Sequence, residues 1–135
     1  MVLLDSSFLI AYYNQTDIHH KKSFEIMKEI GSGEYGQPII PDSVFNEVVN
    51  VLFNRLKNHS MVVKVCEDIL SFTTIFHSNE LLFKESWKIF KEQSDFTKLS
   101  FTDCLIIALM KKENIKKIAT FDKDFSKIKG IEIIN

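Results

Sequence analysis

The chain has 135 residues, of which 45% are hydrophobic and 26% charged, and its formal net charge is −1. This length fits one domain, over residues 1–135, that buries its core without disulfides or a structural metal, and the composition excludes a disordered chain. The small net charge excludes a protein that holds nucleic acid by a strong overall positive field, so any such contact must be local.

Short apolar segments alternate with longer helical patterns along the chain. The patterns predict five strands, at residues 2–5, 37–40, 74–77, 116–121 and 130–134. They predict six helices, at residues 6–14, 18–30, 43–57, 60–72, 80–93 and 100–113. We therefore predict an α/β domain, a three-layer α/β/α sandwich around a central and mainly parallel sheet. The strand order does not follow from the pattern.

Two cysteines, Cys66 and Cys104, lie in apolar helical patterns without partners at metal-ligand spacing. They indicate reduced, buried thiols in a cytosolic protein and argue against a zinc site. We expect no membrane association, because no apolar run approaches spanning length and no basic region precedes the first predicted strand. His19 and His20 favour a surface pair over metal ligands, since no acid or thiol neighbours His19 at ligand spacing.

The charges are unevenly distributed. Residues 111–135 contain seven lysines and four acids, a net charge of +3, whereas the first 110 residues carry a net charge of −4. A solvated lysine-rich surface is the favoured interpretation, and a phosphate-contacting patch is the alternative.

Four carboxylates stand at the margins of apolar segments. Asp5 and Asp122 follow two predicted strands, and the carboxyl ends of parallel strands carry the binding site of an open α/β sheet. Glu47 and Asp103 lie in the first turns of two apolar helices, where an unpaired buried carboxylate is costly. Taken singly, these residues have ordinary explanations as helix caps, partly exposed helix residues or turn formers.

Taken together, the four acids indicate one negatively charged pocket. Clustered carboxylates repel one another, so they imply a bound cation or raised pKa values. Oxygen ligands without cysteine or histidine favour Mg²⁺ or Mn²⁺. A cation of that kind suits phosphodiester hydrolysis, with one carboxylate as general base and a tail lysine such as Lys123 on the substrate backbone.

Four segments resemble the motifs of the PIN domain family, and especially of its small VapC-like toxin ribonucleases. Residues 4–11 (Leu-Asp-Ser-Ser-Phe-Leu-Ile-Ala) resemble the opening motif, and residues 45–48 (Phe-Asn-Glu-Val) resemble the central glutamate helix. Residues 99–104 and 119–125 resemble the third and fourth acidic motifs. The four occur in order and span nearly the whole chain, which makes the set far more specific than any one member.

The resemblance implies a role for each matching residue. Asp5, Glu47, Asp103 and Asp122 would be the catalytic quartet that holds Mg²⁺ or Mn²⁺. Ser6 would be the hydroxyl that supports the first aspartate, at a position where the toxin branch usually has threonine. Asp124 is either an auxiliary acid or a turn residue, with the turn favoured. The resemblance further implies an RNA substrate, a homodimer and a small antitoxin protein that blocks the site.

The leading hypothesis is thus a metal-dependent endoribonuclease, the toxin of a type II toxin–antitoxin pair. A housekeeping RNA-processing nuclease is the alternative within enzymes. A catalytically silent PIN module that binds RNA or protein is a third possibility, and a phosphohydrolase acting on small phosphate esters is a fourth.

Overall fold

In the computed structural model, which describes residues 1–94 and 98–135, the chain folds around one five-stranded sheet. The strands are β1 (Val2–Leu4), β2 (Pro38–Pro41), β3 (Thr74–Phe76), β4 (Lys117–Ala119) and β5 (Glu132–Ile134). The helices are α1 (Ser6–Tyr13), α2 (His20–Gly31), α3 (Asp42–Leu56), α4 (His59–Phe72), α5 (Glu80–Glu92) and α6 (Phe101–Lys112). A short 3₁₀ helix, Lys123–Lys127, follows β4.

The sheet has the order β3-β2-β1-β4-β5, and every pairing is parallel. From β1 the chain moves outward to β2 and β3, and then returns past β1 to β4 and β5. Right-handed crossovers in two opposite directions place helices on both faces of the sheet, so the predicted three-layer α/β/α sandwich is confirmed. The direction reverses between β1 and β4, and open α/β sheets bind ligands at the carboxyl ends of the two strands that flank such a point.

The core lies between the sheet and its helices. Leu3, Phe8, Ile40, Ile106 and Leu109 are fully buried. Helix α6 is buried all around from Cys104 to Met110, as its apolar sequence predicts. Cys66 and Cys104 are buried free thiols, and burial raises the pKa of both. None of the helices in the described ranges is both long and apolar enough to cross a membrane.

The predicted strand at residues 116–121 is too long, because regular pairing of β4 ends at Ala119. The Thr120 hydroxyl and the Phe121 N–H instead bond to Asp5 and Ser7 at the N-terminus of α1. The 3₁₀ helix after β4 was not predicted, because five residues of tight turn leave no periodic pattern. Helix α3 begins at Asp42, one residue before the predicted start, and Glu47 is its sixth residue, in the second turn.

Candidate functional site

An open cavity of about 640 Å³ lies at the carboxyl edge of the sheet, beside the ends of β1 and β4. Its wall includes the predicted carboxylates Asp5, Glu47, Asp103 and Asp122, which come from four separate segments of the chain. The cavity therefore lies at the point where the winding direction of the sheet reverses.

Asp5 directly follows β1 and caps the N-terminus of α1. Its Oδ1 accepts a hydrogen bond from the Ser6 backbone N–H at 2.7 Å, while the Ser6 hydroxyl is 3.4 Å away. Ser6, predicted to support Asp5 through its hydroxyl, therefore contacts it more closely through its backbone. The side chain is only 4% exposed, so its position is fixed by the strand behind it and the helix ahead.

Two further hydroxyls hold the other oxygen of Asp5. Ser7 Oγ and Thr120 Oγ1 donate to Asp5 Oδ2 at 2.6 and 2.7 Å. Ser7 Oγ in turn accepts from the Phe121 N–H at 3.1 Å, and Thr120 Oγ1 accepts from the Asp122 N–H at 3.0 Å. This hydroxyl pair ties the end of β1 to the segment after β4. Sequence reasoning missed both residues, although each stands two positions from a predicted acid.

Asp122 caps the 3₁₀ helix, where its Oδ1 accepts the Asp124 N–H at 2.8 Å. Asp124 lies in the first turn of that helix and pairs with Lys127 at 2.5 Å, and it does not contribute to the cavity wall. Lys123 is exposed and is not part of the wall either. The structure therefore places Asp122 at the cavity and its two charged neighbours outside it.

Glu47 approaches the cavity from α3 and is half-buried. Burial raises the pKa of its carboxyl above the ordinary value, and the charge of Asp5 raises it further. The Ser6 hydroxyl lowers this pKa and Asp103 raises it. Glu47 is thus close enough to both aspartates for their charges to act on it.

Asp103 is the third residue of α6 and completes a capping box with Ser100. Its Oδ2 accepts the backbone N–H and the hydroxyl of Ser100, both at 2.7 Å. Burial nevertheless raises the pKa of Asp103, and the charges of Asp5 and Asp122 raise it as well. The helix cap therefore explains the position of Asp103 but leaves it facing two other acids.

The four predicted acids share a cavity but form no ion pair within the described residues. Among the ion pairs of residues 1–94 and 98–135, none involves Asp5, Glu47, Asp103 or Asp122. Within the same residues, no three His, Cys, Asp or Glu side chains are close enough to enclose a metal ion as they stand. The donors are carboxylate oxygens, which suit Mg²⁺ or Mn²⁺. Several of these oxygens already accept hydrogen bonds at the N-termini of helices. By donor type, the four carboxylates fit such a cation.

Basic and aromatic side chains complete the wall, and sequence reasoning missed these too. Arg55, in the last turn of α3, and Lys98 provide positive charge at the cavity. His19 and Phe121 also line it, and their rings are stacked with centroids 4.3 Å apart. The two histidines that were predicted to form a surface pair are both partly exposed: His19 lines the cavity, and His20 Nδ1 lies 2.9 Å from the Ala11 carbonyl oxygen.

The fold is similar to that of several solved structures, three of which follow. VapC20 of Mycobacterium tuberculosis, described as a toxin that cleaves the sarcin–ricin loop, is 23% identical, with full coverage of both chains (100% and 100%) and a TM-score of 0.84. A toxin–antitoxin complex from Klebsiella pneumoniae is 19% identical, with a TM-score of 0.66 over 98% of this chain and 96% of that one. PAE2754 of Pyrobaculum aerophilum is 16% identical, with a TM-score of 0.68 over 98% and 88%.

No curated protein sequence matches this chain. At these identities the structural likeness shows the fold alone. Membership of a family rests on separate evidence, because the model of the PIN domain family matches residues 2–131, nearly the entire sequence. The match includes all four acidic segments that resembled the motifs of that family. The chain therefore belongs to the PIN domain family.

Proposed function

We propose that this protein is a divalent-cation-dependent endoribonuclease and the toxin of a type II toxin–antitoxin pair. One observation carries the proposal: the four predicted acids, from separate segments, line one cavity at the reversal point of the sheet, and none forms an ion pair in the described residues. Burial and mutual charge raise the pKa of two of them, Glu47 and Asp103, so the cluster is costly without a cation.

Asp5, Glu47, Asp103 and Asp122 would hold the Mg²⁺ or Mn²⁺ ion, directly or through water. When bound, such a cation polarises a phosphoryl oxygen and lowers the pKa of a coordinated water. Asp5 is the most rigidly held of the four, since the hydroxyls of Ser7 and Thr120 and a backbone N–H fix both of its oxygens. Fixed ligands of this kind keep the reacting groups in position at no further cost in entropy.

Glu47 is the residue we assign as general base. In the described chain, Glu47 has the fewest hydrogen bonds to the backbone of the four carboxylates. Its raised pKa favours acceptance of a proton from an attacking water. Arg55 and Lys98 line the same cavity and would bind phosphates on either side of the cleaved bond. Lys123 lies outside the wall and would contact the RNA backbone more weakly.

The proposal of a toxin rests on the fold it shares with VapC20 and with the Klebsiella pneumoniae complex. An antitoxin would have a surface to bind: an apolar groove of about 500 Å³ lies between α1 and the α3–α4 pair. This groove shares Ile10 and Arg55 with the acidic cavity, so a segment bound in it would reach the catalytic acids. A homodimer and a cytosolic location belong to the same proposal.

The direct test is incubation of pure protein with a mixed RNA pool in Mg²⁺, in Mn²⁺ and in chelator. Asp5→Asn and Asp103→Asn serve as inactive variants, and Asp68→Asn, on α4 outside the cavity, serves as the matched control. We expect cleavage that needs the cation and both cavity aspartates, but not Asp68. Cleavage that persists in chelator or in both variants would contradict the mechanism, whereas binding without cleavage would favour a silent RNA-binding module.

The toxin assignment is tested by co-expression with a small DNA-binding protein that a neighbouring gene encodes. Cells that express the nuclease alone should stop growing, and growth should resume when the two proteins are expressed together.

A further inference from the structure

Three aromatic rings form a column that runs from the core to the acidic cavity. Phe8 is fully buried, and its ring lies 6.0 Å from that of Phe121 at an interplanar angle of 28°. Phe121 stacks on His19 with a centroid separation of 4.3 Å and an angle of only 6°. The column therefore ends in a flat ring that is supported from behind by a buried side chain.

The outer ring of the column borders the acids. His19 and Phe121 both line the cavity that contains Asp5 and Asp122. Phe121 directly precedes Asp122, and its N–H donates to Ser7 Oγ, the hydroxyl that holds Asp5. A group stacked on the column would lie beside the catalytic acids, in a position fixed by the same hydrogen bonds.

A backbone hydrogen bond explains the turn at His19 but not the position of its imidazole ring. Its backbone N–H donates to Asp17 Oδ1, which accounts for the turn before α2 without involving the imidazole. In the part of the chain that the structure describes, no hydrogen bond or ion pair to the His19 ring is found, and the ring is only partly buried. Phe121 covers one face of the ring, and no other aromatic ring of the described residues stacks on the opposite face.

We propose that His19 is a substrate-positioning residue: an unpaired base of the RNA stacks on the ring face opposite Phe121 while the adjoining phosphate faces the acids. The proposal rests on the nuclease function above and deepens it by naming a residue that positions the substrate. A paired base could not reach the ring, because both of its faces are covered within a duplex. Stacking tolerates any base, since every base has a π face. Arg55 and Lys98 would then bind the flanking phosphates.

The test uses a pool of short single-stranded RNAs that carry 2-aminopurine, a base whose fluorescence falls when it stacks. Binding is measured in Mg²⁺ in the Asp103→Asn background, so that the RNA remains intact. His19→Leu removes the stacking face, His19→Phe retains it, and His77→Leu changes an exposed histidine that is not part of the cavity wall. We expect quenching and binding with the parent, with His19→Phe and with His77→Leu. We expect His19→Leu to lose the quenching and bind about 5- to 10-fold more weakly, near the low end of base–aromatic stacking.

Equal quenching and affinity in His19→Leu would overturn the proposal, as would loss of both in a folded His19→Phe. Thermal melting identifies a variant that fails to fold, in which case the comparison of His19→Phe with the parent decides alone. Addition of the protein to a duplex with the same label should cause no further quenching. A fall in fluorescence equal to that of the single strand would also contradict the proposal. Cleavage is measured separately: if wild-type cuts RNA and His19→Leu cuts it equally well at limiting RNA, only the stacking proposal fails. Stacking without any cleavage by wild-type would contradict only the nuclease function.

Discussion

The two walls of the acidic cavity hold their carboxylates in different ways. On the sheet wall, Asp5 is nearly enclosed and its oxygens accept hydrogen bonds from Ser6, Ser7 and Thr120. On the helix wall, Glu47 and Asp103 have pKa values raised by burial and by the charges that face them. The sheet wall is built for fixed position, whereas the helix wall accumulates electrostatic repulsion that a cation would remove. The sheet wall thus fixes the position of a carboxylate, and the helix wall concentrates negative charge.

Asp5→Asn is expected to have the largest effect, because it removes a charge from the rigid wall while the shape is kept. Removal of an outer partner of a metal ligand typically reduces metal affinity or activity roughly 10- to 100-fold, and loss of a ligand itself should exceed that. Cleavage rate and Mn²⁺ affinity by titration calorimetry measure the change. Activity within a few-fold of wild-type would remove Asp5 from the catalytic set.

Loss of the hydroxyl pair should come next. Thr120→Val and Ser7→Ala each remove a donor to Asp5 Oδ2, so the carboxylate is no longer fixed, and we expect a fall of about 10- to 100-fold in cleavage. Thr73→Val is the matched control, because its hydroxyl bonds to the Ile69 carbonyl at the end of α4, outside the cavity. An equal loss in all three variants would indicate general destabilisation and not a contribution to the site.

The pH dependence of stability probes the helix wall. Because the folded-state pKa values of Glu47 and Asp103 are raised, their contribution to folding is complete below the ordinary carboxylate range and is lost as pH rises through the folded values. Metal-free protein should therefore lose this contribution on the way to neutral pH, and Mg²⁺ should restore stability there but not at acid pH. Thermal melting with Mg²⁺ and with chelator across that range measures it. A stabilisation by Mg²⁺ that does not change with pH would contradict this account.

The smallest effect is expected for Glu47→Gln in metal-free protein at neutral pH. The substitution removes one charge from the repelling cluster and should stabilise the fold by about 0.5 to 1 kcal/mol, while cleavage falls. Chemical denaturation in chelator measures the stability, and Glu67→Gln on the exposed face of α4 is the control. If Glu47→Gln lowered the free energy of unfolding, the Glu47 carboxylate would be shown to stabilise the metal-free fold, which contradicts this account.

Much of the fold could be predicted because its signals are local. Alternating apolar segments and helical stripes give the order of the elements, and the apolar sequence around Cys104–Met110 predicts a buried α6, as observed. The predicted end of β4 was wrong by two residues, since the Thr120 hydroxyl and the Phe121 N–H bond to partners more than 110 positions away. No local pattern can report such a pairing.

For the site, the sequence by itself predicted the four acids that line the cavity, because as a set, and not singly, carboxylates at strand ends and in apolar helices indicate a shared pocket. Only the tertiary structure decided their neighbours: Ser7 beside Thr120, His19 stacked on Phe121, and Arg55 and Lys98 at the same cavity. These contacts depend on the strand order, which places β1 beside β4. That order is set by the packing of helices on both faces of the sheet, and packing joins residues that are remote in the chain.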